Sequence, residues 1–228
     1  MESFIFLLNN VIIDKRRVFL LFKICLTGGP CSGKTDILNM LSRAIRRKGY
    51  EVFIIPETAT ELILNGIKVN SNISPVVFQN FVIDKQLAKE ELYDNLKKYY
   101  DNDKLVIICD RGILDGYAYV GKTAFNEILK QKNLSVDETY KHYDAVFHLV
   151  TTANGAEEFY QWNNQRMKES CNNLARSETP EEARLKDRET IDVWSKHPNF
   201  YMFDNSTDFE GKAERVIKKV FQLLENHK

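Results

Sequence analysis

Five short apolar runs punctuate the chain, at Lys23–Leu26, Val52–Ile55, Leu105–Cys109, Ala145–Val150 and Phe200–Phe203. Each is a nearly continuous run of β-branched, aromatic or other apolar residues, so it has no polar face and predicts a strand covered on both sides. Longer stretches of helical period separate the runs. The alternation predicts an α/β fold, with a five-stranded parallel sheet and helices on both faces. Helices are predicted from Thr35 to Arg47, Ser74 to Tyr100, Ala156 to Asn172, Pro180 to Lys196 and Phe209 to Glu225. Ser74-Pro75 and Thr179-Pro180-Glu181-Glu182 mark two of the starts, each with a hydroxyl at the N-cap and proline at the first helical position.

One junction carries more than secondary structure. Gly28-Gly29-Pro30-Cys31-Ser32-Gly33-Lys34-Thr35 has the spacing G-x-x-x-x-G-K-T, with a strand pattern before it and a helical pattern after it. Glycines let the backbone curl until successive N–H groups converge on phosphate oxygens, and the next helix aims its N-terminus at the same charge. Lys34 then reaches the β- and γ-phosphates, and the Thr35 hydroxyl is placed for Mg²⁺. The expected fold is therefore a P-loop NTPase fold, and the expected ligand is ATP or GTP.

In a parallel sheet, ligands sit beyond the carboxyl ends of the strands, so the residues after each run are candidates for chemistry. Pro56-Glu57-Thr58 follows the second run, where Glu57 suits a base for an attacking hydroxyl or a support for a magnesium-bound water. Asp110-Arg111-Gly112 follows the third. An acid after four apolar residues is the second metal-site element of P-loop enzymes, making Thr35 and Asp110 the predicted Mg²⁺ residues, and Arg111 offers a bidentate fork to a phosphoryl group. Asp115, Tyr117 and Tyr119 are candidate walls of an acceptor pocket. Gln79 and Gln86, seven apart on one helix face, suit a base or carboxamide, or simply the surface. Arg176, Arg184 and Arg188 predict a helical lid over about residues 155–196 that supplies positive charge to the transferring group. Asn205, after the fifth run, is a candidate base contact, and His148 within the fourth reads as a hydrogen-bonded sheet residue.

Composition narrows the classes. The 228 residues carry 32 basic and 32 acidic side chains, which argues against a large nucleic-acid or anionic-membrane footprint. Cys25, Cys31, Cys109 and Cys171 form no C-x-x-C pair or zinc spacing, and free thiols favour a reducing, cytoplasmic setting. The apolar stretch near the amino terminus is broken by Asn9, Asn10 and Asp14 and is too short to span a membrane, so residues 1–20 read as an extension to one domain over 21–228. There is no N-K-x-D guanine motif, Asp110-Arg111-Gly112 is not the D-x-x-G switch of signalling GTPases, and the arginine-finger segment of a ring ATPase is missing.

The combination of segments resembles a known family. Leu26-Thr27-Gly28 through Thr35, Pro56-Glu57-Thr58-Ala59-Thr60, Cys109-Asp110-Arg111-Gly112-Ile113-Leu114-Asp115-Gly116, Tyr143-Asp144, Gly155-Ala156-Glu157 and His197-Pro198 carry the likeness over roughly residues 23–220. They resemble the P-loop domain shared by the ribosylnicotinamide-kinase part of bacterial NAD-biosynthesis regulators and the eukaryotic TRPL translocation defect proteins, with the eukaryotic branch nearer. The bacterial side implies phosphorylation of a ribosyl nucleoside. The eukaryotic side implies a GTP-binding regulator of membrane-protein trafficking.

Two functions follow as expectations. The first is a Mg²⁺-dependent small-molecule phosphotransferase, with Gly28–Thr35 on the donor phosphates, Glu57 at the acceptor hydroxyl, and Asp110, Arg111, Arg176, Arg184 and Arg188 around the transferring group. The second is a nucleotide-switched module that presents a surface to a protein partner without phosphoryl transfer.

Overall fold

The computed structural model describes residues 21–100, 104–161 and 178–226. The predicted amino-terminal extension, Arg176, and all but the first residues of the helix expected over 156–172 lie outside them.

Strands β1 (Leu21–Gly28), β2 (Glu51–Ile55), β3 (Leu105–Asp110), β4 (Ala145–Leu149) and β5 (Phe200–Phe203) pair in the order β2-β3-β1-β4-β5, every pair parallel. The phosphate-loop strand β1 is thus central. Its neighbours are β3, with Leu26 beside Asp110, and β4, with Gly28 beside Leu149. That register brings the ends of three strands to one edge.

Alternate residues of the strands feed different cores, as a period of two requires. Phe22, Ile24 and Leu26 of β1, Val106 and Ile108 of β3, and Phe147 and Leu149 of β4 face α1 (Lys34–Arg47) and the C-terminal α7 (Phe209–Asn226). Ile37, Leu41 and Ile45 of α1 and Val216, Val220 and Leu224 of α7 complete that layer. The other face buries Cys25, Ile107, Cys109 and Val146 under α3 (Pro75–Leu96), α4 (Tyr117–Gln131), α5 (Val136–Tyr140) and α6 (Pro180–Trp194), with Ile83, Phe125 and Trp194 as the largest contributors. Fully burying an aliphatic or aromatic side chain contributes about 1.5–3 kcal/mol, so both layers are needed to hold the sheet.

Several buried polar residues on that second face are paired with one another. Lys23 reaches Asp94 at 2.8 Å and Glu90 at 3.7 Å, Thr27 donates to Asp115 at 2.6 Å, and His148 Nε2 lies 3.0 Å from Asp187. At the predicted start at Thr179 a capping box forms with Glu182, and Ser74 accepts from the Val77 amide. Helix α2 (Thr58–Leu64) follows β2 directly, and α3 ends at Leu96, earlier than its pattern suggests, in a short 3-10 turn.

Candidate active site

Gly33 at φ 83° and Cys31 at φ 54° curl the phosphate loop, and α1 begins at Lys34 immediately after. Turning successive N–H groups inward turns their carbonyls outward, and buried carbonyls need donors. Each finds one. Arg111 Nη1 and Lys34 Nζ donate to Gly28, and Lys34 also to Gly29 at 3.0 Å. Thr151 donates to Pro30 at 2.5 Å and Thr152 to Cys31 at 2.9 Å, both from the loop after β4. Lys212 of α7 donates to Ser32 at 3.3 Å, and the Gly33 carbonyl takes the Ile37 amide of α1. Four segments thus clamp one turn of backbone.

Asp187 of α6 closes the arrangement. Its Oδ1 accepts from the Gly29 N–H at 2.8 Å, the Thr151 N–H at 3.2 Å and His148 Nε2 at 3.0 Å, with the carboxylate almost fully buried. A Cβ at Gly29 would sit 2.5 Å from that oxygen, so glycine here is demanded by close approach. Fixed segments on both sides leave the loop little freedom.

The residues after β2 and β3 converge beside the loop. Glu57 sits at the carboxyl end of β2 as N-cap of α2, where the helix end favours its charge. Arg111 follows β3 at φ 74°, a left-handed conformation uncommon outside glycine, held by its N–H on the Leu26 carbonyl. Its Nε donates to Glu57 Oε1 at 2.5 Å and its Nη1 to Asp115 at 3.1 Å. Burial alone would lower the guanidinium's pKa. Tyr119, Glu57, Asp115 and Asp110 outweigh it and hold that pKa well above its ordinary value, so the charge is permanent. Asp115 is itself fixed by Thr27 and by Trp194 Nε1 at 2.8 Å.

A cavity of about 350 Å³ opens next to the loop, within the usual size of a small-ligand site. Pro30, Glu57 and Arg111 form its loop side, and Phe78, Val82 and Tyr119 give it apolar walls. Asp115 and Tyr119 therefore line the pocket, as expected. Tyr117 does not: it packs on Phe125 with centroids 4.5 Å apart and faces a separate cleft, because α4 turns it to the other side.

The two glutamines divide sharply. Gln86 is taken up by the protein, accepting from Thr58 at 2.5 Å and donating to Glu90 at 2.8 Å. Gln79 is only 6% exposed, lines the cavity, and makes no hydrogen bond to another described residue.

Thr35 stands at the start of α1 and Asp110 at the end of β3, beside Leu26 of the loop strand. A hydroxyl and a carboxylate are hard oxygen donors, suited to a Mg²⁺ that takes its remaining ligands from phosphates and water. Among the described residues no group of three or more His, Cys, Asp or Glu gathers as a self-sufficient metal cage.

Of the lid arginines, Arg184 donates to the Ala153 carbonyl at 2.7 Å and pairs with Glu181, and Arg188 is exposed on α6. Asn205 donates to the Thr151 and Asn154 carbonyls and accepts from Lys212 at 2.9 Å, so its amide is engaged by protein at both ends. Thr151, Thr152, Asp187 and Lys212 had no signal in the sequence. Their partners in the phosphate loop are 121 to 180 residues away, and no local spacing marks them.

Comparison with known proteins agrees with this architecture. A family model described as AAA domain matches residues 23–212. Deoxyadenosine kinase from M. mycoides with products dCMP and a flexible dCDP bound superposes with a TM-score of 0.57 at 17% identity, covering 88% of this chain and 100% of that one. The same enzyme with bound dATP gives 0.56 at 17% identity, covering 87% and 98%. At that identity the likeness is one of fold. No curated protein matches the sequence. Among the described residues no helix is long and apolar enough to cross a membrane.

Proposed function

We propose that this chain, which belongs to the AAA domain family, is a Mg²⁺-dependent phosphotransferase that moves the γ-phosphoryl group of a nucleoside triphosphate to a hydroxyl of a nucleoside. The observation that carries the reading is Glu57, set between the phosphate loop and a ligand-sized pocket and oriented by Arg111. The kinase fold of the superposed structures supports it.

The loop N–H groups and Lys34 bind the donor's phosphates. Thr35 and Asp110 would hold Mg²⁺, which neutralises charge on the β- and γ-oxygens when bound. Glu57 accepts the proton of the acceptor hydroxyl as that oxygen bonds to the γ-phosphorus. The bond from the γ-phosphorus to the bridging oxygen breaks, and the electron pair leaves with the nucleoside diphosphate. Lys34 and Arg111, both fixed beforehand, stabilise the charge that spreads over the transferring group. Arg184 and Arg188 of α6 would add positive charge over it.

The pocket's chemistry describes the acceptor. Its described lining holds three carboxylates, Glu57, Asp115 and Glu178, against two cations, Arg111 and Lys186. Both cations are already matched, Arg111 by Glu57 and Asp115, Lys186 by Glu178 at 2.7 Å. A phosphate on the acceptor would meet net negative charge with no free cation, so an uncharged or cationic nucleoside fits. Gln79 offers a carbonyl and an NH₂ to an amide-like edge of its base. The resemblance to ribosylnicotinamide kinases makes ribosylnicotinamide the first candidate.

The test is transfer from labelled ATP and GTP to a panel of nucleosides including ribosylnicotinamide, and to nucleoside monophosphates, with Lys34→Ala as control. Phosphorylation of a nucleoside that disappears in the variant supports the reading. Triphosphate binding with no transfer to any acceptor overturns it.

A further inference from the structure

Lys212 lies in the first turn of α7, and its side chain runs beneath the phosphate loop with only 3% of the residue exposed. Its three N–H groups meet three neutral oxygens: the Val150 carbonyl at 2.8 Å, Asn205 Oδ1 at 2.9 Å and the Ser32 carbonyl at 3.3 Å. The three belong to the residue after β4, the loop after β5 and the phosphate loop itself. Among the described residues no carboxylate lies at ion-pairing distance from it. A buried ammonium held only by neutral oxygens is costly to the fold unless its charge is used.

We propose that Lys212 is a positioning residue for triphosphate binding: its ammonium holds the Ser32 carbonyl outward, so that the loop N–H groups face the phosphates, and places a positive charge directly behind them. This rests on the triphosphate-binding part of the proposed function and is independent of the acceptor. Lys34 acts from within the loop; Lys212 acts from the opposite side, through the loop's backbone. The neighbouring carbonyls of Pro30 and Cys31 are held by Thr151 and Thr152, whose hydroxyls do not titrate. Only the Ser32 tether depends on α7 and on protonation.

Burial drives the Lys212 pKa down to about 8, against Asp187 of α6 and Asp204 after β5, which favour the charged form, and with Arg215 of α7, which opposes it. A neutral amine has two N–H groups and a lone pair for three acceptors. Ser32, at the longest distance, is the partner expected to lose its donor. Triphosphate affinity is therefore full below that pKa and declines as pH rises through it.

Isothermal titration of the full chain with ATP and Mg²⁺, and with GTP and Mg²⁺, over about pH 6.5 to 9.5 reads this directly, since acceptor chemistry plays no part. The wild type should weaken by about tenfold across the alkaline range, with the decline setting in near 8. Lys212→Met should bind about tenfold more weakly at neutral pH and show no alkaline decline. Lys212→Arg, charged throughout, should keep the neutral affinity better and also lose the decline. Thermal unfolding of each variant separates a folding defect from a binding defect, and the wild-type pH profile stands without any variant. A wild-type affinity flat across the range, or the same alkaline decline in Lys212→Met, overturns the proposal while leaving the phosphotransferase reading intact. Absence of binding at every pH overturns both.

Discussion

Glu57 and Arg111, 54 residues apart in sequence, meet at 2.5 Å where the phosphate loop borders the pocket. The carboxylate is oriented by the guanidinium on one oxygen and by the Thr60 hydroxyl at 2.7 Å on the other. A base so placed acts on the acceptor and makes no demand on the donor. Glu57→Gln is accordingly expected to lower kcat by about 10²–10⁴-fold and to leave triphosphate affinity within a fewfold of wild type. Steady-state kinetics alongside direct nucleotide titration measure both. Equal loss of binding and turnover would place Glu57 in donor binding instead.

Lys34 is the complementary case. Its ammonium is parked on the Gly28 and Gly29 carbonyls and on Ser32 Oγ at 3.2 Å, poised to exchange these for phosphate oxygens. Lys34→Ala should cost at least about a hundredfold in turnover, as for loss of one preorganised donor. Near-normal turnover in that variant would remove the loop from the mechanism.

Gln79 bears on specificity. Replacing it by Ala removes an amide that lines the pocket without a partner among the described residues, and leaves the ligand's polar edge buried and unmatched. The expected effect is a fall of about 10–100-fold in kcat/KM for acceptors with an amide-like edge, and a smaller one for acceptors without it. Comparing two such nucleosides in the same variant reads the difference. An equal loss for both would mean that Gln79 shapes the pocket without reading the base.

Glu90 supports the pocket from below. It accepts from Gln86 at 2.8 Å and from the Tyr143 hydroxyl at 2.7 Å, and lies 3.7 Å from Lys23. Burial alone would raise its pKa; the His142 contact, Lys23, Tyr143 and Gln86 overcome this and hold it below 4.5. A depressed carboxyl pKa adds stability that is complete above the unfolded value and is lost as pH falls through the folded one. Glu90→Gln should therefore lower stability by about 3 kcal/mol at neutral pH, with Lys23 retaining Asp94. It should also flatten the acid decline below pH 4.5. Urea unfolding across that range checks both signs.

The strands were legible because a sheet buried on both faces leaves an apolar run too short for a helix. The loop was legible because its chemistry demands fixed residues at fixed spacing. Helix α4 was not. Gly121, at φ 75° inside it, breaks the period, and the helix is held by packing of Phe125, Ile128 and Leu129 on the sheet rather than by its own pattern. The same reason hid the frame of the site. Asp187, sitting among Arg184, Lys186 and Arg188, reads as one more charge on a solvated helix face, yet it faces inward and takes the Gly29 N–H. Gln79 and Gln86 share a face and a residue type, and only the neighbours that α2 and α3 bring together separate a free amide from a spent one.

The charge balance of the pocket also bears on how a catalytic cycle ends. On the proposed reaction, the nucleoside arrives without a phosphate and finds Arg111 and Lys186 already neutralised by carboxylates. Transfer then deposits two negative charges beside Glu57 and Asp115, where both cations among the described lining residues are already paired. The product is thus less welcome than the substrate from which it was made. Departure of the phosphorylated nucleoside is driven by the same residues that admitted its precursor, and product inhibition by the monophosphate should be weak.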